Sequence, residues 1–395
     1  MTEEKQYDPC GRLCYGMVGG SPGSFIGPVH RVALAMNNQA KLTAGSFSET
    51  FEKTLETGRE IGLDHERTYS DFRTMAEREG SRPDRIDFVV IAVPNHLHFP
   101  VAKAFLKQGI DVVCEKPLAF SLEEAKELVD LTHEFNLQFM VAYTYTGYPM
   151  VREARSLVSS GALGSIRVVA AEYPQGWLAD PIERTGVAGG ANRQASWRTD
   201  PRYSGISGCV GDIGTHIENL VHFVTYLEID KLAARLEIMV PGRLLDDNAY
   251  MLLRYQGGAT GTYWSSQVAI GEENGLRIRV YGDKGALAWS HENPNILRFQ
   301  RKGEPVQILT RGSSYLSPDA TRFVRLPAGH TEGYFEAFAN LFKSFCNVLI
   351  ARKEGRPADP LDTFPTVVDG ARGIKFITDC VQSSQLDSAW VDGSF

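Results

Sequence analysis

The sequence predicts an α/β protein of two domains, an N-terminal doubly wound parallel sheet of Rossmann type followed by a C-terminal α+β domain on an open, mainly antiparallel sheet. Three observations carry this expectation. A chain of 395 residues is too long for one ordinary core. Its first 145 or so residues alternate apolar strands with amphipathic helices, as a parallel sheet covered on both faces requires. Beyond about Gly164 the texture changes to long strand-like runs joined by glycine turns. The boundary is expected near residue 148, giving domains 1–148 and 149–395.

In the first domain the pattern reads strand 13–18, helix 28–36, strand 42–46 and helix 49–61. The strongest element is the run Phe88 to Val93, continuously apolar as a strand buried on both faces must be. Pro94 ends it, a helix is expected over 101–108, and a strand over 111–114. Ser121 with Glu124 forms a capping box that starts a helix running to about residue 135. A strand over 139–142 closes the half. In the second domain, strands 249–255 and 259–268 flank Gln256-Gly257-Gly258, and strands 276–281 and 286–290 flank Gly282-Asp283-Lys284-Gly285, as in hairpins. The resulting meander leaves one sheet face to be covered by a helix, a domain or another subunit. Helical patterns at 334–351 and 364–381 end the chain.

Composition narrows the function. Hydrophobic residues make up 43% and charged residues 23%, which is ordinary for a folded globular protein. The net charge is −7, and Lys and Arg are spread along the chain without the basic patch that nucleic acid or an anionic membrane would require. No apolar run has the length of a signal-peptide core or a membrane span, so the expected location is cytoplasmic. The six cysteines lack metal-site spacing and read as free thiols. Cys10 and Cys14 form the one close pair, and without further ligands nearby no metal is expected.

Between the first strand and first helix lies the loop Gly19-Gly20-Ser21-Pro22-Gly23-Ser24-Phe25-Ile26-Gly27. Glycines let backbone approach a pyrophosphate, whose charge is favoured by the amides opening the next helix. Gly19, Gly20, Gly23, Phe25, Ile26 and Gly27 are therefore candidate dinucleotide contacts. The loop is longer than strict G-x-G-x-x-G, and its position between strand and helix carries the reading. The second strand ends without the acidic residue that commonly holds the ribose 2′-hydroxyl. Ser46 and Ser48 stand there instead and suit either NAD or NADP.

Pro94-Asn95-His96-Leu97-His98 follows the strand at 88–93, and Glu115-Lys116-Pro117 follows the next. Both sit at carboxyl ends of parallel strands, where ligands bind in open α/β sheets. A lysine there, Lys116, would face the nicotinamide end of a bound dinucleotide and is a candidate cofactor contact; by position alone it is equally a solvated loop lysine. In the second half, Gly211-Asp212-Ile213-Gly214-Thr215-His216 opens a helix. Ile213, Ile217, Leu220, Val221 and Val224 make its apolar stripe, with Asp212, His216 and Asn219 on a polar stripe beside it. At four residues' separation a carboxylate can influence an imidazole, and a histidine that accepts a proton near neutral pH is what alcohol oxidation needs. Taken alone, such a pair is more often an ordinary polar face.

The ordered combination of glycine loop, Pro-Asn-His-x-His, Glu-Lys-Pro and Gly-Asp-x-Gly-x-His resembles the glucose-fructose oxidoreductase and inositol dehydrogenase (Gfo/Idh/MocA) family over nearly the whole chain. The resemblance implies an NAD(P)-dependent dehydrogenase acting on a secondary hydroxyl of a sugar, glycoside or cyclitol, assembled as a homodimer or homotetramer through its open sheet. It implies Lys116, Asp212 and His216 as catalytic lysine, aspartate and histidine, with Pro94, Asn95, His98 and Glu115 lining the cofactor site. Tyr145, Trp197, Arg198 and His330 are candidates to border the substrate. His330 is expected to open a helix. Three departures bear on cofactor and substrate: the longer loop, the missing acid, and the absence of an arginine just before Pro149. Two rival readings remain at this point, a redox-neutral enzyme that uses bound NAD transiently to cleave a glycoside bond, and a cofactor-binding regulator without catalysis.

Overall fold

The computed structural model describes residues 11–184 and 192–395; Cys10 lies outside them. The chain divides into two compact units. The first comprises residues up to Ala119, Glu123–Ala142 and Tyr334–Ala371, and the second Phe120–Leu122, Tyr143–Gly333 and Arg372–Phe395. The split is thus not two contiguous pieces meeting at residue 148, because residues 334–371 return to the first unit.

The first unit is built on a five-stranded parallel sheet in the order β2-β1-β3-β4-β5. Its elements run β1 (Leu13–Gly19), α1 (Ile26–Ala35), β2 (Ala40–Ser46), α2 (Phe51–Glu60), α3 (Phe72–Ser81), β3 (Phe88–Ala92), α4 (His98–Leu106), β4 (Asp111–Cys114), α5 (Leu122–Glu134) and β5 (Phe139–Val141). β3 is central and every one of its side chains is buried, which explains its unbroken apolar run. α3 was not expected, since its stretch buries little beyond Met75, Ala76 and Glu79. It is specified by its ends: the Asp71 carboxylate accepts from the amides of Arg73 and Thr74 at 2.9 Å each, the standard cap for orphan helix N–H groups. Buried Glu79 then bonds Arg67, Tyr69 and the Ile86 amide.

One face of this sheet is covered by a segment far away in sequence. The helix Tyr334–Lys353 inserts Phe338, Phe342, Phe345 and Leu349 into the cluster formed by Tyr15, Val29, Phe88 and Val90. Phe345 meets Phe88 edge-on at 5.3 Å. The last turn of that helix is anchored by ion pairs of Arg352 with Asp111 and of Lys353 with Asp87.

The second unit carries a nine-stranded sheet in the order β13-β12-β11-β10-β6-β9-β8-β7-β14. Its elements are α6 (Pro149–Ser159), β6 (Ile166–Pro174), α7 (Arg193–Arg198), α8 (Pro201–Ser204), α9 (Thr215–Thr225), β7 (Ile229–Glu237), β8 (Asn248–Tyr255), β9 (Thr260–Ser266), β10 (Arg277–Gly282), β11 (Gly285–Ser290), β12 (Ile296–Arg301), β13 (Gln307–Thr310), α10 (Pro318–Thr321) and β14 (Val391–Asp392). The hairpins β8-β9 and β10-β11 form as their glycine turns predict. The sheet is not a simple meander, however: β6 lies between the hairpins, pairing parallel to β9 and antiparallel to β10. From Ala249 onward β8 alternates. Ala249, Met251, Leu253 and Tyr255 are buried, while Tyr250 and Leu252 on the other face are each 53% exposed.

Cys14, Cys114, Cys209, Cys346 and Cys380 are free thiols. Among the described residues no cluster of His, Cys, Asp or Glu is arranged to hold a metal ion, and no helix is long and apolar enough to cross a membrane.

Candidate active site

In the first unit the glycine loop joins β1 to α1. Gly19, Gly20 and Gly23 all have positive φ (82°, 75° and 84°), a backbone that other residues adopt only under strain. Gly27 packs so closely on Gly20 that an added Cβ would lie 2.3 Å from the Gly20 Cα. The loop is therefore a tight cradle, although it lacks the usual spacing. Helix α1 begins with no side-chain cap and no acidic residue in its first turn, and the Ser24 hydroxyl is buried without a hydrogen-bond partner. Open helix amides and an orphan hydroxyl fit a bound pyrophosphate. Phe25 is largely exposed, its ring 6.4 Å from that of Tyr334. Ser46 ends β2 and is buried, and Ser48 is held by Thr54 through its backbone amide at 3.0 Å.

Pro94 and Asn95 form a short turn leading from β3 into α4, with Asn95 buried. His98 opens α4 and is fully buried. Its Nδ1 lies 2.6 Å from the Pro117 carbonyl and its Nε2 3.0 Å from that of Val93. Glu115 is also buried. Its Oε1 meets Nε2 of His30 at 2.9 Å, and its Oε2 accepts from the Lys116 amide at 3.3 Å. Burial pushes the Glu115 pKa up, but His30, Lys116 and His98 more than reverse this and hold it below the ordinary value. Glu115 is therefore a carboxylate. Lys116 follows it directly, joined to Pro117 by a cis peptide.

In the second unit, the residues before α9 form a π-type turn, Val210–Gly214. Asp212 and His216 therefore straddle a junction between a wide turn and an α-helix, a local irregularity that often marks functional sites. The stripe around them is buried, not solvated: His216 and Asn219 are 7% and 4% exposed. The Asp212 carboxylate accepts from Gln267 Nε2 at 2.9 Å and from Arg198 Nε at 3.3 Å. Arg198 is itself fixed by Gln194 at 2.6 Å and stacks 4.2 Å above the Trp197 ring, with Trp177 at 6.0 Å.

The His216 ring stands edge-on against Tyr145 at 4.9 Å and Tyr143 at 5.5 Å, with Tyr173 at 6.2 Å. Tyr145 is only 4% exposed; it walls the histidine. Its hydroxyl bonds that of Tyr173, which donates to Asn274 Oδ1 at 2.6 Å. Gln175 donates to the same oxygen at 2.8 Å, and Trp177 donates to Gln175 at 3.0 Å. Nearby, the His291 ring lies 5.0 Å from Tyr145 and 5.6 Å from Tyr148, and burial lowers its pKa to about 4. Sequence reasoning missed Gln267, Tyr173, Gln175, Trp177, Asn274 and His291, which lie on or beside strands and carry no motif. His330 opens no helix. It sits in an exposed loop, where its carbonyl, not its ring, is engaged by Arg311.

Comparison with known proteins identifies the family. Residues 13–143 match the family described as oxidoreductase, NAD-binding Rossmann fold, and residues 151–288 match the GFO/IDH/MocA C-terminal domain. The chain is 36% identical to YfiI of Bacillus subtilis, an uncharacterized oxidoreductase, over 96% of each chain. It superimposes with a TM-score of 0.91, at 39% identity, on an inositol dehydrogenase homolog from Azotobacter vinelandii complexed with NAD+, covering 96% of this chain and 97% of that one. Another structure described in those terms, matching at 38% identity over 96% and 97% with a TM-score of 0.88, holds NADH and myo-inositol. Levoglucosan dehydrogenase of Pseudarthrobacter phenanthrenivorans is 29% identical over 72% of this chain and 75% of its own. The parallel sheet with its glycine cradle, joined to the open nine-stranded sheet, defines a dinucleotide-dependent oxidoreductase. The chain belongs to the Gfo/Idh/MocA family of oxidoreductases, with an NAD-binding Rossmann domain.

Proposed function

We propose that this chain is a dehydrogenase that oxidises a secondary hydroxyl of a sugar, glycoside or cyclitol. The observation that carries the reading is a histidine walled by tyrosines, His216, in the same unit as a chain of amide and phenol groups, Tyr145-Tyr173-Asn274-Gln175-Trp177. A base supplies the proton chemistry, and groups that both stack and hydrogen-bond suit a ring bearing several hydroxyls. The relatives named for inositol and levoglucosan support the same class.

Bound NAD supplies the hydride acceptor. His216 takes the hydroxyl proton as general base, and Asp212 orients and supports the charged imidazole. Lys116 hydrogen-bonds the substrate oxygen as negative charge grows there. The ion pair with Arg198 and the hydrogen bond from Gln267 hold the Asp212 carboxylate in place. NAD binds at least as well as NADP in this reading, because Ser46, Phe47 and Ser48 offer no charge to a 2′-phosphate. The alternating apolar face of β8 and β9, with Tyr250, Leu252 and Trp264, is covered by another copy in a homodimer or homotetramer.

A panel of polyols, cyclitols and glycosides, incubated with each cofactor and followed by absorbance of reduced nicotinamide, tests the proposal. Accumulation of reduced cofactor with a polyhydroxylated substrate is the expected result. Substrate consumption without net reduction would favour transient redox chemistry instead, and no turnover at all would leave a binding protein.

A further inference from the structure

Asp246 and Asp247 stand side by side where the chain enters β8, and both are buried, at 7% and 1% exposure. Their bonds run to different segments. The helical segment that carries Asp212 and His216 opens, as every helix does, with amides that have no partner within it. Asp246 takes three in succession: its Oδ1 accepts from Gly208 N at 2.9 Å, its Oδ2 from Val210 N at 3.0 Å, and its carbonyl oxygen from Cys209 N at 2.9 Å. The Gly211 amide donates to Ser207 Oγ at 3.2 Å, and Asp212 N then bonds the Gly208 carbonyl at 2.9 Å. The fit is close, since a Cβ on Gly208 would lie 2.5 Å from the Asp246 carbonyl oxygen. A cap ordinarily comes from the residue just before a helix; this one comes from 36 and 38 residues away.

Asp247 serves a second segment. Its Oδ2 accepts from Arg243 Nη1 at 3.1 Å, and the same buried guanidinium donates to both Glu183 oxygens at 3.2 Å each and to the Asp180 carbonyl at 3.0 Å. A buried arginine shared by two carboxylates is a firm clamp, because losing a partner leaves charge uncompensated. The clamped segment leads back to Trp177, bonded to Gln175. At its other end the Ile182 carbonyl accepts from the amide of Asn192, whose side chain caps α7.

We propose that Asp246 and Asp247 are positioning residues with separate duties. Asp246 sets the turn that presents Asp212 and His216 to the reacting hydroxyl. Asp247, through Arg243 and Glu183, sets the segment that presents Trp177 to the rest of the substrate. Assigning the first duty to turnover and the second to substrate binding rests on the dehydrogenase reading; the two links themselves do not.

Steady-state kinetics of full-length Asp246→Asn and Glu183→Gln, on the polyol that the wild type oxidises best, tests the division. Asn turns a donor on an amide, so Asp246→Asn should lower kcat ~10 to 100-fold while the polyol KM moves less than about threefold, as when a catalytic group is misplaced. Glu183→Gln weakens the clamp and should raise that KM ~10-fold, the worth of about one contact. Its kcat should fall less than about threefold, because Gln267 still holds Asp212. Ser207→Ala removes only the acceptor of the Gly211 amide; it should repeat the kcat effect more weakly, and it stands in if Asp246→Asn does not fold. Both constants moving together in both variants, the reverse assignment, or wild-type constants throughout overturns the proposal. Hydrogen–deuterium exchange reads the links without any turnover. Asp246→Asn should speed exchange over 207–214 and Glu183→Gln over 178–184, each leaving the other segment at the wild-type rate. Exchange that rises in both segments, or in neither, overturns the links. A wild type that oxidises no polyol would remove the dehydrogenase reading instead, and the exchange pattern would still decide the links.

Discussion

Replacing His216 by Asn should separate proton removal from cofactor binding. Asn keeps a polar side chain of similar reach but cannot act as the base, so turnover should fall ~100 to 10,000-fold while NAD affinity, read by fluorescence titration, stays put. In the wild type the oxidation rate should climb as pH rises and neutral imidazole accumulates; near-normal turnover in His216→Asn with the same profile would pass the role of base to Lys116. His291 predicts a stability effect of defined sign. Its folded pKa of about 4 lies below the ordinary value of about 6.5, so unfolding takes up a proton between these values. Its contribution is complete above pH ~6.5 and is lost as pH falls through 4, by at most about 3 kcal/mol. Denaturant melts across that window should show a shallower acid loss in His291→Gln than in the wild type. Equal slopes would place the acid sensitivity elsewhere.

Where a motif sits on one element, the sequence was a good guide. The buried run at Phe88–Ala92 and the glycine turns of the hairpins could be read locally, because the periodicity or turn chemistry is contained in a few residues; the Asp-x-Gly-x-His segment, read as the opening of a helix, is in part a wide turn ahead of one. The partners of Asp212 could not. Gln267 and Arg198 reach it from positions 55 and 14 residues away, a juxtaposition set by the order of strands and helices, not by local pattern. The insertion of β6 between two hairpins was hidden for the same reason, since nothing in residues 166–174 names its neighbours. The helix at residue 334 was legible as a helix, but not as a cover for the first sheet. That cover gives an element-scale prediction. Phe342 is fully buried beside His30, its ring 5.6 Å from the imidazole, so Phe342→Ala should cost ~3–5 kcal/mol. A loss under about 1 kcal/mol in a denaturant melt would show that this helix contributes little to holding the cofactor unit together.

At the scale of the whole molecule, the outer face of the nine-stranded sheet exposes Tyr250, Leu252, Val168, Tyr281 and Trp390, with Tyr250 and Trp264 stacked at 6.4 Å. If a second copy covers it, light scattering at micromolar protein should give a dimer or tetramer mass, and Leu252→Asp should shift the mass toward the monomer. A monomeric wild type would refute the assembly.

The return of Tyr334–Ala371 to the first unit also bears on how the chain is made. A ribosome delivers residues in order, and early domains commonly fold as they emerge. Here the parallel sheet emerges long before Phe338, Phe342 and Phe345, the side chains that complete its core, have been synthesised. During translation of nearly two hundred residues, from the end of β5 at Val141 to Tyr334, one apolar face of that sheet has only part of its native cover, the part that α1 supplies through Val29, Ala33 and Leu34. The nascent protein should therefore be a client for chaperones throughout that interval. A chain halted before residue 334 should remain protease-sensitive in its N-terminal half, and one extended past Ala371 should become resistant.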